Sequence, residues 1–280
     1  MSVSSAEAVA VARDYYNSND ADNFYFEIWG GEDIHIGLYR SSDDSIAQAS
    51  ERTVAAMAEE LGQLTPSTRI ADFGAGYGGS ARWLAHRFGC HVSCVNLSEV
   101  QNDRNRSLTA NAGLDALIDV YDASFEAAPL PDDSFDIVWS QDSLLHAGDR
   151  TQVLKEVERI LRPGGHFVFT DPMQTDDCPS GVLQPVLDRL HLDSLGSKAF
   201  YREVAASLGW DEIGVQDLTP QLVQHYSRVM QDLLTRRPKL SGSISAGYID
   251  RMVTGLANWV KAGSSGHLAW GILHFRKQAR

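Results

Sequence analysis

The sequence predicts an α/β fold built on a doubly wound parallel sheet. Short apolar runs alternate with amphipathic helical stretches five times between residues 68 and 173. Four glycines, Gly74, Gly76, Gly78 and Gly79, crowd the first strand-to-helix turn, where such a sheet binds its ligand. After residue 174 the alternation loosens into helical stretches and two further apolar runs.

The elements follow in order. Residues 6–17 have the composition of a short helix. SIAQASERTVAAMAEELGQL (45–64) has apolar residues at helical spacing and is stopped by Thr65-Pro66-Ser67. TRIADFG (68–74) is an apolar strand ending in glycine, and GSARWLAHRFG a helix closed by Gly89. CHVSCVNLS is the second strand, and EVQNDRNRSLTANAG a helix closed by Gly113. LIDVYDAS and SFDIVWSQD are the third and fourth strands, the latter entered through the turn LPDDS. TQVLKEVERILRPGG is a helix ended by Pro163-Gly164-Gly165, and HFVFTDPM the fifth strand. GVLQPVLDRLHLDSL and SKAFYREVAASLGW are helices, DEIGVQDLTP is a sixth strand and HLAWGILHFRK a last one. A run of helix and loop over 220–262 lies between those two strands. A single domain over 1–280 is expected: an N-terminal segment 1–44, a core 45–174, and C-terminal additions 175–280.

The formal net charge of −13, with five lysines, should repel nucleic acid and anionic lipid, so neither is expected as a partner. Cys90, Cys94 and Cys178 show no paired metal-ligand spacing, and no metal is expected. A reduced, cytoplasmic setting fits them. No apolar core led by basic residues opens the chain, and no run of about 18 apolar residues occurs.

The glycine loop satisfies the dinucleotide spacing Gly74-x-Gly76-x-x-Gly79, a weak signal alone, and a tight turn without a ligand competes with it. Asp72, two residues before Gly74, argues against a pyrophosphate, because like charges repel, and for a ligand with a cationic end. With that acid and the motifs that follow in order, residues 66–172 resemble the class I S-adenosylmethionine-dependent methyltransferases. The resemblance implies a mostly parallel, Rossmann-like sheet with an antiparallel C-terminal strand, and S-adenosyl-L-methionine as cofactor. It implies cofactor contacts at Asp72, Gly74, Gly76 and Ser140. Asn96 stands where the family often carries a ribose-holding acid. With Gln101 it looks like a subgroup in which two amides face the ribose, while helix capping is the plainer role for Asn96. YDASF resembles the adenine clamp, with Asp122 accepting from the amino group and Ala123 beside it.

SQDSLLH ends the fourth strand, at the carboxyl edge where ligands bind. Asp142 and His146 would share one side of a helical turn, Asp142 holding an acceptor cation and His146 relaying its proton. A structural histidine is the alternative. The element resembles that of phosphoethanolamine methyltransferases. That likeness implies a lid tyrosine paired with the histidine, at Tyr16 or its neighbour Tyr15. It also implies lid positions Tyr25, Ile34, His35 and Gly37 beside the cofactor. Over nearly the whole chain, DADNFYFEIWGGEDIHIGLY and GVLQPVLDRLHLDSLGSKAFYREVA resemble the sarcosine/dimethylglycine N-methyltransferases, which make glycine betaine. The implied partner is a small zwitterionic amine. Arg189 is the candidate for its carboxylate, Pro172 and Met173 for apolar walls, and Tyr226, with His225, for closing the pocket. Other acceptors, phosphoethanolamine or a prenylated phenol, and a non-catalytic cofactor binder remain open.

Residues 15–39 hold seven aromatics among 25 residues, without a helical or strand period. They are expected to form a lid, bent at Gly30, Gly31 and Gly37, with Tyr16, Tyr25, Ile34, His35 and Tyr39 near the site. Phe24, Phe26 and Trp29 are expected to pack as core.

Overall fold

The structure is a computed structural model that describes residues 13, 16–41, 43–190, 192–240 and 242–279. Most of the helix expected over 6–17, and Tyr15 with it, lies outside the described residues. In chain order the elements are α1 (Asn19–Glu27), α2 (Ile46–Glu60), β1 (Arg69–Phe73), α3 (Gly79–Phe88), β2 (His91–Asn96), α4 (Glu99–Asn111), β3 (Ile118–Asp122) and β4 (Phe135–Gln141). There follow α5 (Arg150–Ile160), β5 (Leu161–Thr170), β6 (Met173–Gln174), α6 (Gln184–Leu190), α7 (Lys198–Ser207), β7 (Asp211–Asp217), α8 (Thr219–Leu240), α9 (Ala246–Ser264), β8 (Leu268–Ala269) and β9 (Gly271–Arg276).

Seven strands form one sheet in the order β3-β2-β1-β4-β5-β9-β7. β1 pairs in parallel with both β2 and β4, so Ile70 sits between Val92 and Ile137. β9 runs antiparallel to β5 and β7, as the resemblance implies. The strand order reverses between β1 and β4, which leaves a crevice at their carboxyl ends. The strands are apolar on both faces because both faces are covered. α2 and α3 pack on one side, α5 and α7 on the other. Local signals start and stop the helices. Ser45 and Gln48 make a capping box on α2, Asp149 caps α5, and Gly89 ends α3 in the left-handed region.

A further apolar cluster joins α1 and the segment after it to α6, α8 and α9. The aromatic N-terminal stretch is therefore packed against the C-terminal helices, above the carboxyl edge of the sheet.

Three boundaries differ from the sequence reading. α5 stops at Ile160, and Leu161, expected in the helix, already pairs with Phe135 in the sheet. The fifth strand breaks at Asp171-Pro172, and Met173 pairs instead with Ala269 of β8. The last strand breaks at Trp270, whose indole leaves the sheet for the site.

Candidate active site

The glycine loop leaves β1 at Gly74. Its φ is +77°, and a Cβ there would stand 2.3 Å from Ser143 Cβ, so both backbone and space demand glycine. The loop borders a cleft whose lining also includes Asn96, Leu97, Ser98 and Gln101 from the β2–α4 turn. Phe125 lines it from the turn after β3, Gln141 from the end of β4, Asp142, Ser143, Leu145 and His146 from the turn that follows, and Ile34, His35 and Ile36 from the N-terminal segment.

Two amides mark one end. Asn96 Nδ2 donates to Gln101 Oε1 at 3.0 Å. That leaves one amide oxygen and one amide NH2 beside each other, a set that suits a vicinal diol, whose hydroxyls both donate and accept. Deeper in, Gln141 Oε1 accepts from Ser80 Oγ at 2.6 Å and Trp139 Nε1 at 3.0 Å, while its Nε2 is buried with no partner in the protein. A bound ligand with an acceptor would satisfy it.

The N-terminal segment is bolted over the loop. Ile36 N–H donates to Asp142 Oδ2 at 2.7 Å, and Trp270 Nε1–H to Asp142 Oδ1 at 2.7 Å. Asp142 itself lies in the left-handed region, at φ 50°. Its carboxyl is raised to about 6, chiefly by burial, with the Ile36 and Trp270 donors pulling the other way. Gly37 N–H donates to His225 Nδ1 at 3.1 Å, and Tyr39 Oη lies 3.0 Å from the same atom. Accepting from an amide leaves Nδ1 bare and puts the ring proton on Nε2. Burial, then His35, pushes His225 down to about 3, so it stays neutral. Glu32 pairs with Arg82 of α3 at 2.7 Å. Gly30 and Gly31 have positive φ, as a bend requires. Gly37 does not; it is small so that it can lie on α2, where a Cβ would meet Ala49 Cβ at 2.5 Å.

Beyond the loop the wall is aromatic. Tyr16 Oη lies 2.8 Å from His146 Nε2, with the rings edge to face. Tyr16, Tyr25 and Trp29 follow ring upon ring at centroid distances of 5.4 Å and 5.3 Å. Trp29 continues to Tyr226 at 5.5 Å, and Tyr226 stacks on Trp259 at 4.9 Å. Arg189, Leu190 and Pro172 complete this end. His146 is lowered to about 4, by burial first and then by the positive charges of Arg150 and Arg189. The turn that carries it is fixed by Leu145 N–H donating to Asp171 Oδ1 at 2.9 Å and by Arg150 donating to the Leu145 carbonyl at 2.9 Å.

The candidates from the sequence divide as follows. Tyr16, Tyr25, Ile34, His35, Gly74, Gly76, Asn96, Gln101, Asp142, His146, Pro172, Arg189 and Tyr226 line the cleft. Asp142 and His146 meet there by a different geometry from the one expected: His146 is in a tight turn, and Asp142 precedes it in left-handed backbone with both oxygens engaged. Asp72 is buried beneath the loop, outside the lining, and burial, then the Asp33 charge, pushes it up to about 8. The Asp122 side chain turns outward to Arg106 at 2.6 Å and Asn102 at 2.7 Å, and neither it nor Ala123 lines the cleft; Phe125 of the same motif does. Ser140 bonds to the Phe73 carbonyl and Ser143 Oγ, tying β4 to β1. Met173 is wholly buried among sheet residues such as Phe167 and Phe169. Tyr39 and His225 hold each other rather than the cleft. Trp29 both packs in the core and lines the cleft, while Phe24 and Phe26 pack as expected. Arg13, Gln141 and Leu145 were not among the candidates; Gln141 and Leu145 lie within SQDSLLH and could have been drawn from it, whereas nothing local marks Arg13.

The chain resembles known proteins in sequence and in fold. Residues 71–169 match the methyltransferase domain family. Over 271 residues the chain is 55% identical to the sarcosine/dimethylglycine N-methyltransferase of Halorhodospira halochloris, covering 97% of each protein. It is 53% identical over 273 residues to the enzyme of the same name from Aphanothece halophytica, covering 97% of this chain and 99% of that one. Among solved structures, a candidate sarcosine dimethylglycine methyltransferase from Galdieria sulphuraria superimposes with a TM-score of 0.90 at 40% identity, over 95% of this chain and 100% of that one. The likeness runs past the glycine loop into the lid and the C-terminal helices, and on that footing the chain belongs to the sarcosine/dimethylglycine N-methyltransferases.

Proposed function

We propose that the protein methylates the nitrogen of sarcosine, dimethylglycine or both, yielding glycine betaine, in a cytoplasmic setting. The observation that carries this is a single cleft in which a glycine loop and amide pair adjoin an aromatic wall, a neutral Tyr16–His146 pair and Arg189. The residues suit S-adenosylmethionine. The Asn96–Gln101 pair would hold its ribose and Gln141 Nε2 would meet its amino-acid end. When bound, that cofactor supplies an electrophilic methyl group on a sulfonium.

The chain's own residues do the rest. Arg189 takes the acceptor carboxylate through its planar fork. The rings of Tyr16, Tyr25, Trp29 and Tyr226 surround an alkylated nitrogen and exclude water. In the neutral tautomer with its proton on Nδ1, His146 accepts from the Tyr16 hydroxyl, which keeps its own lone pairs for the N–H of sarcosine or of protonated dimethylglycine. A histidine held near 4 is too weak a base to keep an alkylammonium's proton, so it orients Tyr16 while the proton leaves to water.

The test is a mass-spectrometric assay offering glycine, sarcosine, dimethylglycine and phosphoethanolamine side by side. Turnover of phosphoethanolamine in preference to the two methylated glycines would sink the reading. Because free amine is the reacting form, kcat/KM for dimethylglycine should climb about tenfold per pH unit from about pH 6.5 to 9, levelling near an alkylammonium pKa of about 10. An additional fall is expected below about pH 6, as Asp142 takes up a proton and gives up an acceptor position for the lid. A flat profile between pH 6.5 and 9 would exclude this account of the proton. Arg189→Met should raise KM for dimethylglycine about 10- to 100-fold with kcat less affected, since a charged hydrogen bond contributes about 1.5–3 kcal/mol. Unchanged KM would place the carboxylate elsewhere.

A further inference from the structure

A glycine inside a helix weakens it relative to alanine, so Gly255, buried midway along α9, needs a reason. Its backbone is ordinary helix, and the reason is space. A Cβ at position 255 would lie 2.2 Å from Arg189 Cδ, 3.0 Å from Arg189 Nε and 3.2 Å from Arg189 Cγ. The aliphatic stem of Arg189 thus crosses α9 through the notch that the absent side chain leaves.

Arg189 needs such a seat. It stands at the end of α6, a helix of only 7 residues, which is tied to α9 by Asn258 Nδ2 donating to the Pro185 carbonyl at 3.2 Å. Its side chain also borders two spaces. It lines the cleft with Tyr16, His146 and Tyr226, and it lines an outer groove with Tyr248, Met252 and Gly255. The charge reaches the inner space, since it helps to depress His146. Filling the notch would push the stem off α9 and shorten the reach of the guanidinium.

We propose that Gly255 is a positioning residue: by seating the stem of Arg189 against α9 it fixes how far the guanidinium reaches into the cleft, and with it the affinity for carboxylate-bearing amines. This rests on the reading that Arg189 takes the acceptor carboxylate. Nothing at Gly255 touches the substrate, so its effect must pass wholly through Arg189.

The test is Gly255→Ala, with steady-state kinetics on dimethylglycine, calorimetry with S-adenosylhomocysteine, and thermal melting. KM should rise about tenfold, part of the loss expected for Arg189→Met, with kcat and S-adenosylhomocysteine affinity within about twofold. Combined with Arg189→Met, Gly255→Ala should add nothing further to KM. Stability gives a second readout should the single variant fold poorly. With the stem removed in Arg189→Ala, Gly255→Ala should raise the melting temperature, as alanine does in an unobstructed helix. An unchanged KM in Gly255→Ala, additive KM effects, or a loss of stability that persists in the Arg189→Ala background would each overturn the inference. If Arg189→Met itself left KM unchanged, the reading of Arg189 would fall. A rise in Arg189→Met but not in Gly255→Ala would remove the positioning role alone.

Discussion

Gly74→Ala is expected to weaken cofactor binding by about 100-fold or more. Two costs add. The residue sits at φ +77°, where a side chain costs about 1–2 kcal/mol, and its Cβ would overlap Ser143 at 2.3 Å, an overpacking of about 1–3 kcal/mol. The loop can escape only by moving away from β4 into the cleft. Together the terms amount to a loss of about 100-fold or more in affinity for S-adenosylhomocysteine, readable by calorimetry. Ser143→Gly in the same chain should return about tenfold, because it removes the obstructing side chain but not the backbone strain. Tight binding by Gly74→Ala alone would show that the loop is not the cradle.

Asp142→Asn should separate the lid from the site. Asparagine tolerates the left-handed backbone that Asp142 adopts, so the turn itself survives. What it cannot do is offer two acceptor oxygens. Ile36 N–H or Trp270 Nε1–H would then face an amide NH2, leaving a buried donor unpaired at a cost of about 1–3 kcal/mol. Ile34, His35 and Ile36 line the cleft, so cofactor affinity should fall about 10- to 100-fold along with the melting temperature. Full affinity with only a lower melting temperature would make Asp142 a structural staple with no bearing on the ligand.

The candidate site was unevenly legible. The glycine loop could be read because its backbone demands leave a local mark: a turn needing positive φ has few residues to choose from. Asn96 and Gln101, five apart across a strand-to-helix turn, were readable for the same reason. The direction of Asp122 was not legible, because a motif names a residue but not where it points, and Arg106 on α4 draws that carboxylate outward. Met173 was misread because the strand breaks at Asp171-Pro172, and that break decides which side chains turn into the core. The lid was legible as an excess of aromatics, but not which ring does what. Trp29 touches both core and cleft only because α8 and α9 come back over it some two hundred residues later.

By itself, the sequence determined what depends on near neighbours: the alternation of strand and helix, the ends of the helices, and the glycine-rich turn after the first strand. Apolar periodicity and capping act over a few residues, so they can be read along the chain. The tertiary structure alone decided what depends on distant partners. Asp142 became an anchor for Ile36 and Trp270, His225 a neutral acceptor beneath Gly37, His146 a partner for Tyr16, and Arg189 a side chain aimed through a notch at Gly255. Each of those contacts joins segments far apart in the chain, and their geometry exists only once the sheet, the lid and the C-terminal helices have packed into one another.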